Sequence, residues 1–376
     1  MASHDLSWIE ISSSALRHNV RDIRKQLGST KLFLVVKSNA YGHGVKEVVR
    51  ILRGEPGIAG YMTASLDEAL ALCRYTPKKI IVLSMWQQDV KAVKEAVRHR
   101  VTLPVYEWSQ AQFLNMIGTS LGRRVLANIK IDVGTARLGF RADAAIPMIK
   151  KIAALPFIKI EGVFSHFAHS EAANTAFTNE QTNRFSTALQ TLKSAGIDTR
   201  LNHIACSAAG LRASAYRFDA ARIGIALYGL WPSIEIKKKL QRRVQLQPVL
   251  SWKTKVIHMK RVMKGESIGY GLTYRMKHNA TIAVLPIGYG DGYDRKLSST
   301  GSVLIRGQRA PVRGRVCMNV SMVQTPSSVR VGDEVVLIGR QKKARITAEE
   351  VAALVGTINY EIVTRINPLL PRRITA

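Results

Sequence analysis

From residue 31 to residue 223 the chain repeats one unit, a short apolar run rich in β-branched and aromatic residues followed by an amphipathic stretch. The apolar runs fall at 31–36, 58–63, 79–84, 101–105, 125–131, 158–164, 201–205 and roughly 218–223. Helical patterns separate many of them, at 45–53, 65–73, 89–98, 109–117, 142–154 and 175–195. Strands buried on both faces read as near-continuous apolar runs, and parallel strands need helical crossovers. Eight strands with helices between them, within about 230 residues, predict an α/β fold that begins with a (β/α)8 TIM-type barrel. A doubly wound sheet is the structural competitor, but no Gly-x-Gly-x-x-Gly follows the first strand.

Beyond Tyr228-Gly229-Leu230-Trp231-Pro232 the texture changes. Strand patterns at 250–263, 280–287, 302–306, 314–317 and 334–338 are separated by glycine-rich turns. One late helix is marked by Thr347 with Glu350 three residues on, the spacing of a capping box. The boundary therefore falls near residue 240, giving a barrel domain over 1–240 and a mainly β C-terminal domain over 241–376. A length of 376 residues also exceeds one ordinary core.

Several function classes are disfavoured. No apolar run is long enough to span a bilayer, and the N-terminal MASHDLSWIEI lacks a basic and apolar leader pattern, so cytoplasmic residence is expected. Cys73, Cys206 and Cys317 are scattered and form no Cys-x-x-Cys pair, which argues against a disulfide framework or a metal site. The charge is the anomaly: 56 Lys and Arg against 26 Asp and Glu give +30. Those basic residues are spread along the whole chain without aromatic interleaving, so a specific nucleic-acid partner is not expected. A solvated surface that attracts polyanions is the simpler reading.

Chemistry concentrates at the ends of the predicted strands. Lys37 follows the first strand in Val35-Val36-Lys37-Ser38-Asn39-Ala40-Tyr41-Gly42-His43-Gly44. A desolvated lysine at the mouth of a barrel is the group a carbonyl cofactor needs, although a strand-end lysine alone is more often a solvated cap. Further polar strand ends are Lys130 to Phe140, Ser165-His166, His203 to Gly210, and Arg222-Ile223-Gly224-Ile225. Taken singly, each has a structural reading: a glycine turn, a core histidine, an arginine closing a strand.

The ten-residue lysine segment resembles that of alanine racemases, and the resemblance continues through both domains in the family's order. It implies a pyridoxal-phosphate-dependent amino-acid racemase. Lys37 would carry pyridoxal 5'-phosphate and act as base on one face of the substrate. Tyr41, Ser207, Gly224, Ile225 and Tyr360 would surround the phosphate, and His166 would lie beside the pyridine ring. Arg222 would hydrogen-bond the pyridine nitrogen, and His203 would buttress that arginine. Because guanidinium does not deprotonate, the ring nitrogen would stay unprotonated, which favours racemisation over transamination. Arg137 would meet the substrate carboxylate, with Lys130, a position often carbamylated in the family, orienting it.

In the second domain, Ser267-Ile268-Gly269-Tyr270-Gly271 resembles the segment holding the opposing base. Tyr270 would be that base, its phenol made more acidic by nearby cations. Tyr289, Met318 and Asn319 would line the pocket for the amino-acid substrate. Asn319 stands where aspartate is commonest, and Cys206 where asparagine is common. Two bases are needed because one group cannot reach both faces of a fixed α-carbon. The resemblance implies a homodimer in which Tyr270 serves the partner's site. Competing readings are a racemase of broader or serine specificity, a decarboxylase of the same fold type, a non-catalytic cofactor carrier, and a basic nucleic-acid-binding protein.

Overall fold

The computed structural model describes residues 5–376. The chain divides into two compact units. The barrel unit comprises Arg17–Ala40 and Val49–Gln247. The β unit gathers the N-terminal segment to Leu16, Tyr41–Val48 and Pro248–Ala376.

In the barrel unit, Lys79–Met85, Ile58–Ser65, Lys31–Val35 and Ala220–Ile223 pair in that order, all parallel. Leu103–Val105, Val125–Asp132 and Ile158–Phe164 form a second parallel run. A parallel bridge from Ile81 to Thr102 joins the two runs on one side. On the other, Phe164 bridges to His203, and Arg222 N donates to Ala205 O at 3.1 Å. The seventh strand thus reduces to a few residues around His203, and the ring closes with all eight strand positions where the sequence places them. Leu32, Leu34, Ile129 and Ile131 are fully buried, as parallel strands covered on both faces require. The helices cover the ring by one apolar stripe: Val90–Arg98 buries Val93, Ala96 and Val97 and begins where Asp89 accepts a hydrogen bond from Ala92 N at 2.7 Å.

The β unit contains two sheets. Ser7–Ser12 lies between Leu250–Lys255, antiparallel, and Arg372–Thr375, parallel. Glu334–Gln341 and then Ser302–Ile305 extend that sheet. The second sheet orders His258–Val262, Ala280–Leu285 and Ser321–Thr325. Leu250–Lys255 alternates buried and half-buried positions, the mark of a strand with one face on a core.

Two expectations are corrected here. The run 250–263 is two strands, because Val256 N bonds to Asp333 O while Ile257 N bonds to Val284 O, so the chain changes sheets at that step. The run 314–317 is a loop: Gly314 has φ +72°, and a Cβ there would lie 2.4 Å from Ile268 O, a conformation and a clearance that belong to a turn. The late helix spans Ala348–Val355, and Thr347 Oγ1 accepts from Glu350 N at 3.1 Å. The Glu350 carboxylate reaches Arg309 at 2.8 Å.

Candidate active site

The centre of the barrel unit is Arg222, on the last strand and 4% exposed. Its Nη1 donates to His203 Nδ1 at 2.6 Å, and its Nη2 donates to His166 Nδ1 at 2.8 Å. Both Nη atoms also donate to backbone carbonyls, of His203 at 3.1 Å and of Ser165 and Ile204 at 2.9 Å. An arginine has no acceptor, so each imidazole must present a lone pair at Nδ1 and carry its proton on Nε2. Burial, reinforced by the Arg222 charge, holds both histidines well below the usual histidine range, so they stay neutral. The guanidinium is therefore locked in one plane by partners on the two preceding strand ends.

Lys37 stands at the end of the first strand. Tyr228 Oη donates to Val35 O at 2.9 Å, and Val36 N bonds to Met62 O at 2.9 Å, fixing the chain just before it. Burial first, then the Arg137 and Arg222 charges, lower its pKa, while Glu68 opposes the shift. The backbone that follows is unusual: Ser38, Asn39, Ala40 and Tyr41 all have φ between 52 and 54°. Four consecutive non-glycine residues thus make a left-handed turn, a conformation that disfavours L-residues by about 1–2 kcal/mol each. Glu68 helps to hold it. Its Oε1 accepts from Ser38 N at 2.6 Å, while Oε2 accepts from Ala64 N at 2.8 Å and Ser65 N at 3.4 Å. Strain of this kind persists only where the surroundings over-determine it, and it gathers at sites where an atom must be aimed.

Lys130 is 3% exposed, with Nζ 4.7 Å from the centre of the Phe164 ring. Burial, with Arg222 and Arg137 adding to it, brings its pKa to about 7. Arg137 is exposed and lies on a loop knotted by Asp132, whose Oδ1 accepts from Gly134 N at 2.9 Å and Thr135 N at 2.7 Å. Burial would raise the Asp132 carboxyl, yet these donors hold it below the usual range. Ala136, next to Arg137, is again left-handed at φ 50°. Ser207 opens a short helix after the seventh strand, and its Oγ accepts from Gly224 N at 2.9 Å. The Ser207 hydroxyl proton can therefore point to an anion, alongside the buried backbone of Ile225.

The β unit holds the remaining expected residues. Tyr270 is 73% exposed, between Gly269 (φ +73°) and Gly271 (φ +70°). A Cβ on Gly271 would meet the Arg315 guanidinium at 2.9 Å, so that cation lies against the tyrosine's own loop. Tyr289, Met318 and Asn319 share one corner: Tyr289 N bonds to Cys317 O at 3.0 Å, Gly290 N bonds to Met318 O at 2.9 Å, and an added Gly290 Cβ would sit 3.5 Å from Asn319 Nδ2. Tyr41 and Tyr360 form a tilted ring pair with centroids 6.2 Å apart.

The structure thus gathers Lys37, Lys130, Arg137, His166, His203 and Arg222 into one electrostatically connected group. Ser207 with Gly224, Tyr41 with Tyr360, and Tyr289 with Met318 and Asn319 form local pairs or corners. Glu68 and Asp132 were not singled out from the sequence as site residues. Ser65-x-x-Glu68 is a capping-box spacing, and both halves of that box form, so a signal for Glu68 existed.

The model of the alanine racemase N-terminal domain matches residues 11–232, and that of the alanine racemase C-terminal domain matches 249–374. The chain belongs to the alanine racemase family. An alanine racemase of Desulforamulus reducens is 38% identical over 369 residues, covering 97% of this chain and 98% of that one. The crystal structure of alanine racemase from Bacillus anthracis with bound L-Ala-P superposes with a TM-score of 0.91 at 37% identity, covering 100% of this chain and 96% of that one. A histidine racemase from Leuconostoc mesenteroides gives a TM-score of 0.90 at 26% identity, covering 100% and 99%. The two family models together thus cover most of both units.

Proposed function

We propose that this chain is a pyridoxal-phosphate-dependent racemase that interconverts L- and D-alanine, with Lys37 and Tyr270 on opposite faces of the α-carbon. The observation that carries the reading is an amine of lowered pKa, aimed by a left-handed turn, in the same charge network as an Arg222 held through both Nη atoms.

The donor set fits the cofactor. Lys37 offers a nucleophilic nitrogen for its aldehyde. Ser207, Gly224 and Ile225 offer hydroxyl and backbone donors for its phosphate, at the strand ends where barrels commonly bind one. Arg222 offers a cationic edge, locked in place, for its ring nitrogen. Bound there, the cofactor would withdraw electrons from the substrate α-carbon, weakly, because a guanidinium leaves the ring nitrogen without a proton.

The chain's own groups then divide the work. Arg137 draws in the substrate carboxylate, and Lys130 sets the charge behind it. Lys37 takes or returns the α-proton on one face, and Tyr270 does so on the other. We assign Tyr270 to the site of a second copy, making the working form a homodimer, and we place the enzyme in the cytoplasm. No helix among the described residues is long and apolar enough to cross a membrane.

The test is to add pyridoxal phosphate, record the absorbance of the lysine-bound cofactor, and follow D/L interconversion over a panel of amino acids. Alanine turnover with that absorbance, both lost on Lys37 substitution, is the expected result. Cofactor bound elsewhere, or single enantiomers left unchanged, overturns the reading. A second reading, broader specificity, is favoured by Asn319 and Cys206 and by the likeness to a histidine racemase. The same panel separates the two.

A further inference from the structure

The barrel unit's candidate groups lie at the C-terminal ends of its strands. At the opposite ends, a cavity of about 420 Å³ is lined by Arg98, Arg100, Arg123, Arg124 and Lys159, together with the buried Val97, Val101 and Leu126. A second, of about 370 Å³, is lined by Arg53, Arg74, Lys78 and His99, the last being the chain neighbour of both Arg98 and Arg100. No carboxylate lines either cavity. Arg98 is paired with Glu95 at 3.3 Å; among the described residues Arg100, Arg123, Arg124 and Lys159 have no ion pair.

Like charges crowded in this way repel one another, and the N-terminal face of a barrel serves stability, which they do not help. One of them also stands where its backbone disfavours it. The helix Val90–Arg98 ends at His99, and the next residue, Arg100, has φ 59°. That is the left-handed position after a helix cap, where glycine is the usual residue and a side chain is a handicap. An arginine stands there although a glycine would relieve the chain.

We propose that this cavity binds a phosphate chain, the triphosphate moiety of an inorganic polyphosphate or of a nucleotide. Guanidinium forks match phosphoryl oxygens two at a time, and four of the five cations lining the larger cavity are arginines. Its volume is that of a small-ligand site rather than of a duplex groove. It has no aromatic lining on which a base could stack, so recognition rests on phosphate. Such a site gives part of the +30 charge a specific use that racemisation does not require.

The experiment is calorimetric titration of the full chain, loaded with pyridoxal phosphate, at fixed physiological salt. The probes are tripolyphosphate, ATP, orthophosphate and a 20-nucleotide single strand. Tripolyphosphate is expected to bind one per chain and at least about tenfold tighter than orthophosphate. Arg100→Gly is expected to weaken it by about tenfold while leaving racemase rate and thermal midpoint unchanged or improved. Arg123→Ser with Arg124→Ser provides a second variant, expected to weaken it further. Equal binding of ATP and tripolyphosphate assigns recognition to the phosphate chain alone, and tighter ATP assigns it to a nucleotide. The proposal fails if tripolyphosphate does not bind, if both variants bind it as well as the parent chain, or if the single strand binds more tightly per phosphate.

Discussion

The two units carry their candidate groups in opposite ways. In the barrel unit all but the exposed Arg137 are buried or half-buried, Arg222 and its two histidines are joined by short hydrogen bonds, and Lys37 and Lys130 are shifted in their titration by burial and by neighbouring charges. In the β unit Tyr270, Met318 and Tyr289 are exposed by 73%, 55% and 42% on glycine-rich loops. The contrast teaches that the barrel has its electrostatics prepared before substrate arrives, while the β unit presents side chains that need another surface to become desolvated. A shared site between two copies is one way to meet that need.

The sharpest way to break this comparison is Lys37→Ala. If the barrel alone prepares the chemistry, activity falls by roughly 10^4-fold or more, and the absorbance of attached cofactor disappears. Tyr270→Phe comes next: the absorbance stays and activity falls by about 10^2 to 10^4-fold. Mixing the two variants then tests sharing between chains. If each site takes Lys37 from one copy and Tyr270 from another, half the dimers are hybrids with one intact site of two, and about a quarter of the parent rate returns. If sites lie within one chain, mixing restores nothing.

A smaller effect concerns the buried amine at Lys130. The folded chain releases that proton near pH 7, whereas the unfolded chain holds it to about 10.5. Between those values the unfolded state binds more protons, so stability rises with pH through this window. Urea unfolding at pH 7.5 and 9.5 should show a gain of about 2 kcal/mol that Lys130→Met removes, together with higher stability of the variant at the lower pH. The smallest effect belongs to the β unit's own architecture: Thr347→Ala loses one helix cap and about 1 kcal/mol, read as a lowered thermal midpoint with activity intact.

The barrel was legible because parallel strands buried on both faces write themselves as continuous apolar runs, as at Leu32–Leu34 and Val125–Ala127. The candidate residues Lys37, His166, His203 and Arg222 each end or follow a strand, but that position alone favoured a structural reading and the family resemblance singled them out. What was less visible depends on distant partners. Ser7–Ser12 is a strand because residues near 250 and 372 pair with it, and no local pattern announces that. The run 250–263 reads as unbroken although the chain turns to a second sheet after Val256. Glu68 was overlooked because its cap serves its own helix and the turn after Lys37 at once, and only the second task is invisible in sequence.

The left-handed turn at 38–41 has one more consequence. A conformation that L-residues leave whenever they are free to do so survives only while the surrounding ring stays whole. If Lys37 carries the proposed cofactor, its nitrogen becomes a reporter on that local turn: gentle heating should relax those four residues first, bleaching the yellow of the vitamin-derived group while the far-ultraviolet signal of the strands is still intact.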